Sequence, residues 1–248
     1  MVYSILVSPI TFRHPSVLVK MASTINEMAP NRFRLGVGTG WLEIEHELFG
    51  IPFPDLKTRF LMLEESLIYI REALSGNNKG FKGEYYQLEK FPVEPATLSQ
   101  IPIIIGGGGK VKTPTLAGKY SEEFNIYAGP KKTLENSITL FKSVAADNNR
   151  DTDTLEITTA CPPVVGLTKE SVDNSLITAA KALIQPEDEI AKNWQERSYL
   201  YGTPEDVVKT LSMWQEVGIE AVYLQLLDLE PSKRDESVEV VRKAINLL

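Results

Sequence analysis

Cysteine and histidine are scarce in this 248-residue chain: Cys161 stands alone, and His14 and His46 are the only imidazoles. A single thiol excludes an internal disulfide, and the three residues have no spacing that builds a Cys/His zinc site. No metal is expected, and a reducing cytoplasm is the simplest compartment. Long apolar runs are also missing. Each falls far short of the roughly 18 to 20 residues that a membrane-spanning helix requires, so a soluble protein with no membrane partner is expected. The segment Met1-Val-Tyr-Ser-Ile-Leu-Val-Ser-Pro has no basic stretch ahead of its apolar residues and no small-residue cleavage site behind them, so no export signal is read. Positive charge is not in excess either. With 26 Lys and Arg against 33 Asp and Glu the net charge is −7, which argues against nucleic acid or an anionic membrane surface as a partner.

What is present is an ordinary globular composition, 43% hydrophobic and 24% charged, enough to bury a substantial core in one domain spanning 1–248. Strand patterns recur at Tyr3 to Val7, Arg32 to Val37, Ile101 to Ile105, Glu123 to Tyr127, Thr154 to Ala160 and Ala221 to Leu227. Between them, apolar residues repeat at helical spacing: Val17, Leu18, Met21, Ile25 and Met28 ahead of Pro30, then Leu56 through Leu74 up to Gly76. Further helical patterns lie near 131 to 146, 168 to 197, 204 to 217 and 232 to 247. Phe81-Lys-Gly-Glu-Tyr-Tyr-Gln-Leu reads as a small hairpin outside that alternation. Strand alternating with helix predicts a parallel sheet with helical crossovers, either a closed (β/α) barrel or an open sheet. Six strand-helix units are counted where a barrel takes eight, and the pattern alone does not choose.

In such folds ligands bind beyond the carboxyl ends of the strands. Two glycine-rich segments stand there, Leu35-Gly-Val-Gly-Thr-Gly-Trp41 and Ile105-Gly-Gly-Gly-Gly-Lys110. Missing Cβ atoms give a guest access to main-chain N–H groups, and phosphate is the natural guest. The first segment lacks the G-x-G-x-x-G spacing of a dinucleotide site. The second carries Val111 where a P-loop needs Ser or Thr, and Ile104 where it needs glycine. The competing reading makes both runs simple strand-to-helix turns, and the four consecutive glycines tilt the balance toward binding.

The other candidates are weaker. His14, in Phe12-Arg13-His14-Pro15, is a cofactor contact, an acid-base group or the polar start of a helix, and for catalysis the last is favoured. His46 lies in Glu43-Ile-Glu-His-Glu without the second histidine of a zinc-protease helix, and is read as part of a solvated acidic face. Cys161 reads as a buried small side chain, and no Gly-x-Ser-x-Gly elbow exists. Trp41, Phe49, Phe53 and Tyr127 stand near strand ends, where a flat ring is a possible neighbour and plain packing the commoner role.

Taken in order, Ser8-Pro-Ile-Thr-Phe-Arg-His-Pro, Leu35-Gly-Val-Gly-Thr-Gly-Trp, Phe49-Gly-Ile-Pro-Phe-Pro, Arg59 with Leu63-Glu-Glu-Ser-Leu, Phe81-Lys-Gly-Glu-Tyr-Tyr and Pro102-Ile-Ile-Ile-Gly-Gly-Gly-Gly-Lys carry a resemblance. Phe124-Asn125 and Gly202-Thr-Pro-Glu-Asp-Val extend it, so that it covers about residues 4 to 228. The chain resembles the bacterial-luciferase-like monooxygenase superfamily, and within it the branch that uses the deazaflavin coenzyme F420. The resemblance implies a TIM (β/α)8-type barrel that binds F420, or alternatively flavin mononucleotide (FMN), at the carboxyl ends of its strands. It also implies an oxidoreductase or monooxygenase that transfers hydride to or from a small organic substrate or activates oxygen there.

Residue by residue, the resemblance places Val7 and Ser8 beneath the ring, where relatives often have a non-proline cis peptide bond. Thr39 and Gly40 would line the ring edge. Gly106, Gly107, Gly108 and Gly109 would offer N–H groups to the cofactor phosphate, and Asn125 would sit near that end. The segment Tyr3 to Val7 matches the third barrel strand of the family. The resemblance therefore implies a barrel without its first two βα units and without the Asp-His or similar pair they carry. Two open sheet edges would follow, relieved by a homodimer or by a longer parent chain. The alternative is a non-catalytic flavin-binding or truncated barrel protein.

Overall fold

The computed structural model describes residues 1–75, 79–90, 101–227 and 231–248. In chain order it contains β1 (Tyr3–Pro9), α1 (Pro15–Met28), β2 (Phe33–Gly38), α2 (Glu43–Phe49), α3 (Leu56–Leu74), β3 (Phe81–Lys82), β4 (Gln87–Leu88), β5 (Ile103–Gly107), α4 (Lys112–Tyr120) and β6 (Glu123–Tyr127). There follow α5 (Lys131–Asp147), a 3-10 turn (Thr152–Thr154), β7 (Glu156–Cys161), β8 (Val164–Val165), α6 (Lys169–Leu183), α7 (Glu187–Glu196), β9 (Tyr201–Gly202), α8 (Pro204–Glu216), β10 (Ala221–Leu224) and α9 (Pro231–Ile245). All six expected strands are present, and their alternation with helices makes this an α/β fold. The expected stop of α3 at Gly76 lies outside the described residues; Ser75 caps the helix.

The chain divides into two compact units, Met1–Phe124 with Leu140–Leu155, and Asn125–Thr139 with Glu156–Leu248. In the first, the strands run in the order β1, β2, β5 and the start of β6. β1 and β5 each pair with β2 in parallel. Ile103, Ile104 and Ile105 are fully buried, which is why β5 reads as an unbroken apolar run. Helix starts follow local chemistry. The Asp55 carboxylate accepts from the Lys57 and Thr58 amides at 2.9 and 3.1 Å to open α3, and the Thr58 hydroxyl, donating at 2.6 Å, together with these amides holds its pKa below the usual carboxylate value. β3 and β4 form the expected hairpin, antiparallel. The Glu65 side chain of α3 accepts from the Glu84, Tyr85 and Tyr86 amides at 2.7, 2.8 and 3.0 Å and so fixes the hairpin turn.

In the second unit the rest of β6 is followed in sheet order by β7 and β10, and β10 pairs with β7 in parallel. Here the single helix expected over 168 to 197 is two. Ile184 turns left-handed (φ 54°) at the end of α6, and Pro186 lacks the N–H and bars a helix from running through. The short parallel pair β8 and β9 was not legible as strand. With α6 and α7 it encloses a small core of Val164, Ala179, Ala180, Ile190 and Trp194, whose indole nitrogen donates to the Pro162 carbonyl at 2.8 Å. Among the described residues no helix is long and apolar enough to cross a membrane.

Candidate active site

The carboxyl ends of β1, β2 and β5 are neighbours in the first unit and carry eight of the nine expected site residues. At the end of β1 the Leu6–Val7 peptide is cis, and the register with β2 is interrupted between Ile5 and Ser8. Ser8 is buried, and its hydroxyl accepts from Arg13 Nη1 at 2.9 Å. His14 starts α1: its Nδ1 accepts from the Ser16 amide, Pro15 takes the first helical position, and the ring stands edge-on to Tyr69 and Tyr86. This is the helix-start option.

The glycines of β2 have a different use from the one their sequence suggests. A Cβ at Gly36 would overlap the Ile5 carbonyl oxygen, and one at Gly38 would meet the Val7 side chain at 2.8 Å. Both spaces are filled by β1, so these two glycines serve close strand packing rather than a guest. Gly40 differs. It turns left-handed (φ 78°), and around its α-carbon stand Thr11, Pro9 and His46.

His46 is 1% exposed, which corrects the reading of a solvated acidic face. Its Nδ1 donates to the Leu42 carbonyl at 2.8 Å, since a carbonyl only accepts, and its Nε2 hydrogen-bonds the Thr11 hydroxyl at 2.7 Å. Phe12 and Phe53 pack on the ring. The helix α2 is amphipathic in the unexpected sense: its histidine faces inward, and Ile44 and Leu48 face out. Beside it the buried Arg59 donates to the Gly40 and Pro54 carbonyls and lies over the Phe53 ring, with its CZ carbon 3.8 Å from the centroid. Burial lowers the Arg59 pKa, and the carboxylates of Asp55 and Glu43 oppose that. Arg59 and His46 thus hold the main chain on both sides of Trp41. Sequence reasoning noted both residues but not this clamp, because Arg59 reaches back 19 residues to Gly40 and His46 is seated by Thr11, 35 residues away.

The β5 bend is the open one. Gly108 is exposed, and among the described residues the Gly108 and Gly109 amides have no main-chain partner. Thr113, in the first turn of α4, packs beneath; a Cβ at Gly109 would overlap its hydroxyl oxygen. Lys110 and Lys112 are exposed beside it, and Lys112 Nζ lies 5.1 Å from the Phe60 centroid. A bend of unscreened amides leading into a helix start, with cations at hand, fits an anionic group such as a cofactor phosphate.

In the second unit Asn125 is buried, and its Nδ2 donates to Thr158 Oγ1 at 2.8 Å. The Thr159 hydroxyl donates to the Ile126 carbonyl at 2.8 Å. Cys161 is buried as expected, and burial pushes its thiol up to about 12, which removes the thiolate that a nucleophile requires. Of the strand-end aromatics, Phe53 packs as described. Trp41 and Phe49 are largely exposed, and Tyr127 is half-exposed.

Comparison with known proteins agrees with this architecture. The model of the luciferase-like monooxygenase family matches residues 4–221. An F420-dependent glucose-6-phosphate dehydrogenase of Nakamurella multipartita is 36% identical over 121 residues, covering 49% of this chain and only 35% of that protein. The enzyme so named from Rhodococcus hoagii is 28% identical over 236 residues, covering 84% and 68%. Among solved structures, an F420-dependent secondary alcohol dehydrogenase in complex with an F420-acetone adduct superposes with a TM-score of 0.80 at 21% identity, over 98% of this chain and 79% of that one. The coenzyme F420-dependent tetrahydromethanopterin reductase of Methanopyrus kandleri gives 0.77 at 16% identity, over 100% and 83%. With a family model spanning most of its length, and a parallel α/β fold that these structures share, the chain belongs to the luciferase-like monooxygenase family.

Proposed function

We propose that this protein is an F420-dependent oxidoreductase that moves hydride between the deazaflavin and a small organic substrate. The observation that carries the reading is the bend that follows β5, where among the described residues the Gly108 and Gly109 amides have no main-chain partner and Gly108 is exposed. The names of the relatives and of the solved neighbours point to the same cofactor. The deazaflavin supplies the hydride chemistry when bound, and the protein supplies position and electrostatics. In this reading Gly106 to Gly109 hold the anionic tail by their N–H groups. Val7 and Ser8 form the floor under the ring, with Arg13 fixing the Ser8 hydroxyl. Thr39 and Gly40 border the ring, with Arg59 fixing the Gly40 carbonyl. In the second unit the Asn125 amide is oriented by Thr158.

Further parts of the proposal are a single 1–248 domain equivalent to a barrel without its first two βα units, a homodimer and a cytoplasmic setting. β1 supports the dimer: among the described residues it pairs with β2 alone, and Tyr3 and Ile5 are exposed along it, as an edge awaiting cover would be. Fluorescence titration of the purified protein with F420 and with FMN tests the central claim. Saturable binding of F420 in preference to FMN is expected, and binding of neither defeats the enzyme reading. Sedimentation tests the dimer, which monodisperse monomers would refute.

A further inference from the structure

Of the three tryptophans, Trp194 and Trp214 are 5% and 2% exposed, as indoles usually are, whereas Trp41 is 78% exposed. Its main chain is nonetheless held on both sides: the Gly40 carbonyl by buried Arg59, the Leu42 carbonyl by buried His46. A large flat side chain presented to solvent from a clamped turn, just beyond the carboxyl end of a parallel strand, suits recognition better than packing.

Charge indicates what is recognised. Trp41 is followed by Glu43, Glu45 and Glu47, and Ile44 and Leu48 are exposed on the helix that follows, so this end repels anions and favours a neutral flat face. The open glycine bend with Lys110 and Lys112 lies at the end of β5, which pairs directly with β2 through Val37 and Ile105. Adjacent strands are about 4.8 Å apart. Two neighbouring strand ends of the first unit therefore lead one into an exposed, acid-flanked tryptophan and the other into an anion-accepting bend.

We infer that Trp41 is a stacking platform for the tricyclic head of F420, whose anionic tail runs toward Gly106–Gly109. The inference rests on the cofactor reading above. The test is acrylamide quenching of tryptophan fluorescence in the whole protein, with and without F420, while retention of F420 on ultrafiltration reports binding independently. Saturation with F420 is expected to lower the quenching of the accessible tryptophan about threefold or more. Trp41→Ala should weaken F420 binding about tenfold, the size of one aromatic stacking contact, while Trp41→Phe restores most of it. Circular dichroism and melting temperature should be unchanged in both variants. F420 retained with quenching undiminished, or bound equally well by Trp41→Ala, overturns the placement alone. F420 not retained at all overturns the cofactor reading and the placement with it. Protection of Trp41 that grows with protein concentration in the absence of F420 assigns the platform to a second copy and overturns the inference.

Discussion

The two glycine runs of the first unit look alike as strings and differ as structures. Gly36 and Gly38 lack side chains because β1 occupies the space: the Ile5 carbonyl and the Val7 side chain stand where their Cβ atoms would be. The Gly106–Gly109 bend is open above, with Gly108 exposed and Thr113 packed only beneath. In β2 the missing Cβ atoms make room for β1, whereas at the β5 bend Thr113 fills the space at Gly109 and Gly108 stays exposed. Position within the strand separates them. Gly36 and Gly38 lie inside β2, where a neighbouring strand is within reach; Gly108 and Gly109 lie beyond the end of β5 and lead into a helix start.

The largest expected effect breaks the closed run. Gly36→Ala forces a methyl group onto a backbone oxygen that has no rotamer by which to escape. It should destabilise the fold by about 3 kcal/mol or more, or prevent soluble expression. Chemical denaturation measures this, and an unfolding midpoint within error of the parent protein would show that β1 is not seated as described.

The clamp at the end of the closed run comes next. Arg59→Ala leaves the Gly40 and Pro54 carbonyls without their donor and opens a space against Phe53, at an expected cost of about 2 kcal/mol. Arg59→Lys keeps the charge but not the forked donor, and should recover less than half of that loss. Full recovery by lysine would mean that charge, not the two carbonyl bonds, is what the site requires.

How much of this was legible in the sequence follows the range of the interactions involved. Strands such as Ile103–Ile105 announce themselves, because burial on both faces leaves an unbroken apolar run. The helix α2 does not. Its inward residue is His46 and its outward ones are Ile44 and Leu48, the reverse of what periodicity assumes. The helix α4 is short and carries Gly118, which reads as a breaker; in the fold, a Cβ there would collide with the Phe141 carbonyl and Val144 of α5. The break at Ile184 was hidden by apolar spacing that continues across it, although Pro186 was the available signal. For the site, type and order of motif pointed to the correct strand ends. They did not tell whether a glycine faces β1 or solvent, nor that Arg59 reaches Gly40, because those are contacts between segments.

The open run predicts the opposite of the closed one. Gly108 is exposed and does not use the left-handed backbone, so Gly108→Ala should leave stability within about 0.5 kcal/mol of the parent. A methyl group over the bend should nevertheless weaken F420 about tenfold, which titration measures. Loss of stability together with binding would place Gly108 in the same class as Gly36 and erase the distinction between the runs.

The smallest effect concerns charge beside the open bend. Lys110 and Lys112 are exposed, so a cofactor tail would meet them through water and salt rather than in a buried pair. Exchanging both for glutamine should weaken F420 only about threefold at low ionic strength, and the difference should vanish near 1 M salt, where screening acts within about 3 Å. FMN carries less negative charge on its tail, so its affinity should fall by a smaller factor. An equal loss for both molecules, persisting at high salt, would show that the lysines shape the bend itself. The anion selectivity would then belong to the amides of Gly106 to Gly109 alone.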